Sequence, residues 1–83
     1  MGNNRMTASI KEQLYIAESR LALYYKAEKA ILSGQSYEIE GLNLTRANLK
    51  DVQSMISALE SKISALKAKL RGRTRFRVVR PGW

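Results

Sequence analysis

Seven apolar side chains recur along the second half of the chain at Leu49, Val52, Ile56, Leu59, Ile63, Leu66 and Leu70. The intervals alternate three and four through three heptads, the period of an α-helix laid along a partner. No Gly or Pro interrupts the run, and nothing in it alternates at period two. The spacing predicts a helix over Ala47 to Leu70. A seam of that length needs a long partner, and in a chain of 83 residues only the first third can supply one. The size fits one domain, too small to be very stable on its own core.

The partner is predicted from Thr7 or Ser9 to Ser33. Ser9-Ile10-Lys11-Glu12 has the form of a capping box, in which the Ser side chain accepts from the N3 amide and the Glu reaches back. Gly34 follows the last helical residue, where a left-handed backbone suits only Gly well. Met1–Met6 is polar and unpatterned, so residues 1–8 are expected to be disordered and 9–70 to form the folded domain. Ile10, Leu14, Ala17, Leu21, Tyr24, Tyr25, Ile31 and Leu32 share a broad apolar arc, flawed by Glu28. Both helices are about 25 residues, or roughly 37 Å, so a short connection makes them antiparallel neighbours. A second apolar line, Ile16, Leu23, Ala27 and Ala30, points away from the first. One partner helix cannot cover both. A subunit interface is the favoured reading, with scattered surface apolars as the bland one. The stripe Ser54, Ser57, Ser61 and Ser64 on the second helix reads as a solvated face.

Between the helices, Tyr37 and Ile39 alternate with polar residues, then Glu40-Gly41 precedes Leu42 and Leu44. With Glu40-Gly41 as a two-residue turn, Ile39 opposes Leu42 and Tyr37 opposes Leu44. All four then fall on one face, which can close one end of the helix pair. A lone hairpin is marginal in water, so this one must dock. Thr45 caps the second helix, with Asn48 three residues on. The fold class is therefore α+β, mostly α: two long antiparallel helices joined by a β-hairpin.

Net charge is +8, and seven of the fifteen basic residues fall at Lys67, Lys69, Arg71, Arg73, Arg75, Arg77 and Arg80, with none of the seven acids beyond Lys67. The body is nearly neutral, and the end carries the excess. Such a block is usually an interaction arm, the bland alternative being a solubilising tail. Gly72 is expected to end the helix. Arg71, Arg73, Arg75 and Arg77 then line one side of an extended chain, with Phe76 and Val78 on the other. Residues 71–83 are read as an extended Arg-rich arm that a sheet edge elsewhere can accept by strand addition. Trp83, after Pro81-Gly82, reads as an anchor for a pocket on another molecule rather than an incidental Trp at a frayed end.

The chain has no His and no Cys, so the commonest general base, metal ligands and disulfide staples are missing. No Gly-rich phosphate loop is present, and Glu38 and Glu40 flank a turn as solvated carboxylates. The expectation is a non-enzyme without cofactor or metal. No apolar run approaches the ~18 residues of a membrane span, and the start has neither a signal-peptide core nor a complete myristoylation pattern. The reading is a soluble protein made in a cytosol, with no membrane partner. Two classes remain open. One is a nucleic-acid binder, in which arginines neutralise phosphates and Phe76 stacks on a base. The other is an assembly protein, with a small body and an arm that ties it to a larger complex.

The segments Gly34-Gln35-Ser36-Tyr37-Glu38-Ile39, Glu40-Gly41, Leu44-Thr45-Arg46-Ala47-Asn48-Leu49 and Ile56-Ser57-Ala58-Leu59-Glu60 resemble the gpW-type head-to-tail joining proteins of tailed bacteriophages. The resemblance covers roughly residues 10–83. It implies a neck protein in the virion, made in the bacterial host cytoplasm. Such a protein adds to the portal after DNA packaging, forms a homo-oligomeric ring below it, helps retain the genome and presents a platform to the next neck or tail-completion protein. Carried over by position, the tail those proteins need is Arg71 to Trp83 here. The site residues expected on this basis are Arg71, Arg73, Arg75, Phe76, Arg77, Val78, Arg80 and Trp83 for portal or DNA, and Ile16, Leu23, Ala27 and Ala30 between subunits. The alternative is a small basic, non-specific nucleic-acid-binding protein that dimerises through its helices.

Overall fold

A computed structural model describes the backbone of residues 2–75 and the side chains of 9–72. The elements run α1 (Gly2–Leu32), β1 (Tyr37–Ile39), β2 (Leu42–Leu44), a single 3₁₀ turn (Arg46–Asn48) and α2 (Leu49–Arg75). The heptad seam is the buried face of α2: Val52, Ile56, Leu59, Ile63 and Leu66 are all buried, and Leu49 and Leu70 are half-buried. Ile10, Ala17, Ala27 and Ile31 of α1 are the buried residues that complete the helix–helix core. Ile31 and Val52, each 1% exposed, are its most enclosed large side chains. The Ser54, Ser57, Ser61, Ser64 stripe is exposed, as read.

The junctions follow local chemistry. Gly34 has φ +87° and ends α1 in a Schellman arrangement. The Gln35 amide donates to the Ala30 carbonyl at 2.9 Å, and the Gly34 amide to the Ile31 carbonyl at 2.9 Å. The hairpin pairs Tyr37 with Leu44, Glu38 with Asn43 and Ile39 with Leu42, the register read from the sequence. Glu40 and Gly41 have φ 51° and 81°. Both central residues are thus left-handed, as a type I′ turn demands. Thr45 precedes the 3₁₀ turn, and its amide donates to Asn48 Oδ1 at 2.9 Å. The Asn48 amide donates back to the Thr45 carbonyl at 2.8 Å. The second helix therefore enters through a tight turn and becomes α-helical at Leu49 rather than Ala47.

Several expectations are corrected. α1 starts at Gly2, not at Thr7 or Ser9, so the stretch expected to be disordered is helical from residue 2. No Pro or Gly stands between Asn3 and Ser9, and an established helix gains one bond per added residue. Ser9 is accordingly an internal position, whose Oγ accepts from Gln13 Nε2 at 3.3 Å, and not an N-cap. α2 runs through Gly72 to Arg75, so residues 71–75 are helical rather than part of an extended arm. Gly72 lacks the positive φ of Gly34 and Gly41, and Gly inside a helix costs only about 1 kcal/mol, which Arg and Lys neighbours tolerate. Successive alternate positions on a helix turn by about 200°, so positions 71, 73 and 75 do not line one side. Residues 76–83, with the expected anchors Phe76, Val78 and Trp83, lie outside the described residues.

The helix faces also shift. Tyr25 and Leu32, placed on the inner arc, are 44% and 56% exposed, while Ala27, placed on the outer line, is fully buried. The cause is the hairpin. Ile39 and Leu44 pack with Ala27, Ile31, Val52 and Ile56, so near its C-terminal end α1 has two partners and its buried stripe turns toward the second. Further along, Ala17 packs with Leu59 and Ile63 alone. Leu42, on the inner face by register, is 61% exposed, although Ile39 directly opposite it is buried.

These junctions make two opposed predictions. Gly34→Ala forces a Cβ into the left-handed region and lowers stability by about 1 kcal/mol. Glu40→Asn puts a residue tolerant of that region into the turn and raises stability by about 0.5 kcal/mol. Thermal unfolding followed by circular dichroism reads both, and a stabilised Gly34→Ala would contradict the Schellman assignment.

Candidate interaction surface

An antiparallel helix pair has two flanks, and here they differ. Gln53, Glu60 and Lys67 stand one heptad apart beside the seam. Each meets a polar group of α1. Gln53 Nε2 donates to Glu28 Oε2 at 3.0 Å, the Tyr25 hydroxyl donates to Glu60 Oε2 at 2.5 Å, and Lys67 Nζ lies 3.7 Å from Glu18 Oε2. The flawed position Glu28 is thereby satisfied across the groove. Exposed pairs of this kind contribute about 0–1 kcal/mol each, so they set register more than stability. The Glu60 carboxylate, accepting a hydrogen bond from the Tyr25 hydroxyl, holds that phenol above its ordinary value, with desolvation and the Glu60 and Glu28 charges acting in the same direction.

Among the described residues the opposite flank shows no such line of cross-helix pairs. Ile16 and Leu23 are 52% and 36% exposed there. Near the hairpin, Arg20, Leu23, Tyr24, Ile39, Glu40 and Met55 line a shallow depression of about 50 Å³. Met55 and Leu42 are exposed as well, which joins α1, the hairpin and α2 in one partly apolar surface. Residues 30–45 carry Glu38 and Glu40 and no Lys or Arg, an acidic patch on a basic chain. Beneath the hairpin, Ile31, Gly34, Gln35, Ser36, Thr45 and Arg46 line an open cleft of about 380 Å³.

The expected subunit-interface residues therefore divide. Ile16 and Leu23 remain on the open flank, Ala27 is core under the hairpin, and Ala30 is half-buried. Of the expected partner-binding residues, Arg71 is exposed on α2 and positions 73 and 75 belong to its last turns. Arg77 and Arg80, like Phe76, Val78 and Trp83, fall outside the described residues. Met55 and Leu42 were missed. The signal for Met55 was its place directly before Ile56, where an apolar residue widens the seam to one side. For Leu42 nothing in the sequence distinguishes it from the buried Ile39 that it opposes.

Among the described residues no three acidic side chains converge as metal ligands, and no helix is long and apolar enough to cross a membrane. The geometry defines a class: a two-helix body with a docked hairpin and one unsealed flank. The chain belongs to DUF6148, a family of unknown function, whose model matches residues 6–81. No curated protein matches it, and no solved structure does.

The Tyr25–Glu60 contact predicts a pH signature. A phenol raised on folding contributes stability below its unfolded pKa and loses it as pH rises through the folded one. Glu60→Gln therefore lowers the titration midpoint of Tyr25 in ultraviolet absorbance, and narrows the loss of stability in alkaline buffer. An unchanged midpoint would mean the contact is not held in solution.

Proposed function

We propose that this protein is a structural head-to-tail connector of a tailed bacteriophage, not an enzyme. In this reading it forms a ring beneath the portal after DNA packaging. Its C-terminal arm docks on the portal and helps retain DNA, and the ring receives the next neck or tail-completion protein. The site of action is the neck of the virion, after synthesis in the bacterial cytoplasm. The observation that carries this reading is the asymmetry of the body. One flank is filled by cross-helix polar pairs, while the other leaves Ile16 and Leu23 exposed, Leu23 at a shallow depression that Arg20, Glu40 and Met55 also line. A ring needs such a surface for a neighbour, in a heterologous contact that closes by rotation. The order helix, hairpin, helix and basic end supports the reading through the resemblance in Gly34–Leu49.

The helical state of residues 71–75 changes the expected docking unit. The final turns of α2 project the charge block as a rod, and the segment from Phe76 onward supplies the apolar groups. Arg geometry matters for docking on a protein, because a planar guanidinium pairs bidentately and a Lys does not. DNA asks only for positive charge.

The test is co-sedimentation of the full chain with rings of the cognate portal protein, over a salt series, with duplex DNA as rival ligand. Phe76→Ala and Trp83→Ala are each expected to weaken portal binding at least about tenfold while leaving the melting curve of the body unchanged. Replacing the five arginines from Arg71 to Arg80 by Lys is expected to abolish portal binding and spare DNA binding. Absent portal binding, with DNA binding that falls steeply with salt, would instead favour a non-specific nucleic-acid-binding dimer.

A further inference from the structure

The hairpin has two strand edges, and only one of them is guarded. In a hairpin closed by a two-residue turn, the pair next to the turn exchanges backbone hydrogen bonds and the following pair does not. In the register of β1 and β2, Ile39–Leu42 and Tyr37–Leu44 are therefore the bonded pairs, and Glu38 and Asn43 turn their amides and carbonyls outward. Neither residue makes another backbone hydrogen bond among the described residues, and both are exposed. On β1 the outward residue is a carboxylate, and charge is one of the devices that keep an edge from pairing. β2 is Leu42-Asn43-Leu44, with no charge, no Pro and no bulge. Leu42 stands at this edge, on the inner face yet 61% exposed, while Leu44 is 6% exposed.

Local geometry leaves this edge one centre for pairing. The next outward positions are Gly41 and Thr45. Gly41 is left-handed at φ 81° and belongs to the turn. The Thr45 amide already donates to Asn48 Oδ1 at 2.9 Å. Asn43 is thus the one residue of the edge with an extended backbone and both groups unengaged. Two copies of β2 meet there antiparallel about a twofold axis, with Asn43 opposite Asn43 of the second copy. Each Asn43 exchanges both hydrogen bonds with its counterpart, at a Cα separation of about 5.5 Å. Leu42 then falls beside Leu44 of the second copy on the inner face of both hairpins, so the exposed side chain gains an apolar neighbour. Past the strands, the turn of each copy approaches the start of the 3₁₀ turn of the other, which brings Glu40 toward Arg46 of the second copy, twice. Both residues are exposed and neither has an ion pair among the described residues. Within one copy they stand at opposite ends of β2. The same pairing along β1 would set Glu38 against Glu38, a like-charge pair.

We propose that β2 is a self-association edge, through which two copies join their hairpins at Asn43 into one four-stranded antiparallel sheet. A second copy is selected over an unrelated strand because it satisfies the edge in three ways at once. It supplies the backbone bonds at Asn43, apolar cover for Leu42, and opposite charge for both Glu40 and Arg46. The joined sheet also offsets the weakness of a two-stranded hairpin, since three or more strands with an apolar face are what independent stability requires. The contact is small, below the ~1,200 Å² at which stable interfaces begin, so the dimer is weak and exchanges with monomer. This inference needs only two copies of the chain and does not rest on the connector reading.

Sedimentation equilibrium of the full chain, carried to several hundred micromolar, reads the dimer. Glu40→Lys and Arg46→Glu are each expected to raise its dissociation constant at least about tenfold. An equimolar mixture of the two variants is expected to restore association, because both charge contacts re-form across a mixed pair. Asn43→Pro removes the outward donor without touching a bond of the hairpin, and is expected to abolish the dimer. Glu38→Pro, the same change on the other edge, is expected to leave it intact. One further reading needs no substitution: the Asn43 amide of the wild type is expected to exchange rapidly with solvent in dilute protein and more slowly as concentration rises. A wild type that stays monomeric, or an Asn43 amide whose exchange ignores concentration, would overturn the proposal. So would a mixture no stronger than its components, or a dimer lost in Glu38→Pro and kept in Asn43→Pro. Portal rings appear in none of these measurements, so failure of the connector reading leaves the result intact.

Discussion

The packing of α1 on the seam from Leu49 to Leu70 is the contact on which everything else depends, and it is incomplete by itself. Two helices make a line of contact, not an enclosed core, because each can bury only one stripe against the other. Near Ile31 and Val52 the enclosure is finished by a third wall, the hairpin, through Ile39 and Leu44. The dependence is mutual. A two-stranded hairpin is marginal in water, and the helix end supplies the apolar surface that holds it. That is why Ala27, small enough to let a strand approach α1 closely, is fully buried where a larger side chain would push the hairpin away. Beyond the hairpin, Ala17, Leu59 and Ile63 are enclosed by the helices alone.

The two flanks then take different parts. Polar partners one heptad apart on α2 meet Glu28, Tyr25 and Glu18 in order along α1. Each contact is weak, but a slip of one turn would break all three together, so they favour a single antiparallel register. The seam alone is nearly blind to such a slip, since its Leu, Val and Ile residues repeat. On the other flank the hairpin occupies one end and leaves Ile16, Leu23 and Met55 uncovered. The body is thus specified internally by its polar flank and left open outward on its apolar one.

What the sequence made legible is what local chemistry decides. The seam, the strand register, the Glu40-Gly41 turn, Gly34 past the end of α1 and the Thr45–Asn48 junction depend on residues within a few positions of one another. What it concealed depends on a second partner. A wheel around one neighbour puts Tyr25 and Leu32 inside and Ala27 outside, whereas with the hairpin docked Ala27 is buried and Tyr25 and Leu32 are exposed. The two glycines make the same point. Gly34 and Gly72 each follow a long helical pattern, yet only Gly34 becomes left-handed. After Gly34 the chain must reverse into a strand that buries Ile39. After Gly72 no docked element follows among the described residues, and the Arg-rich sequence continues the helix. A glycine permits a stop, and the packing of what comes next decides whether the stop is used.

The same logic governs the charge. An excess of +8 placed evenly would only keep the molecule soluble. Here residues 30–45, which carry Glu38 and Glu40 and no Lys or Arg, sit at the hairpin end, and the basic block begins near the far end of α2. At an ionic strength near 0.15 M charges are screened over about 8 Å, so the two ends of one rod some tens of ångströms apart do not attract each other appreciably. They act on whatever molecule is brought alongside. Since α2 continues through Gly72, positions 71, 73 and 75 are carried along the helix axis, away from the hairpin end. Had the helix ended at Leu70, five more residues of extended chain would have been free to fold back. The unbroken helix at Gly72 therefore does more than lengthen α2: it holds the start of the basic block at the opposite end of the rod from Glu38 and Glu40, so the two charges are presented separately.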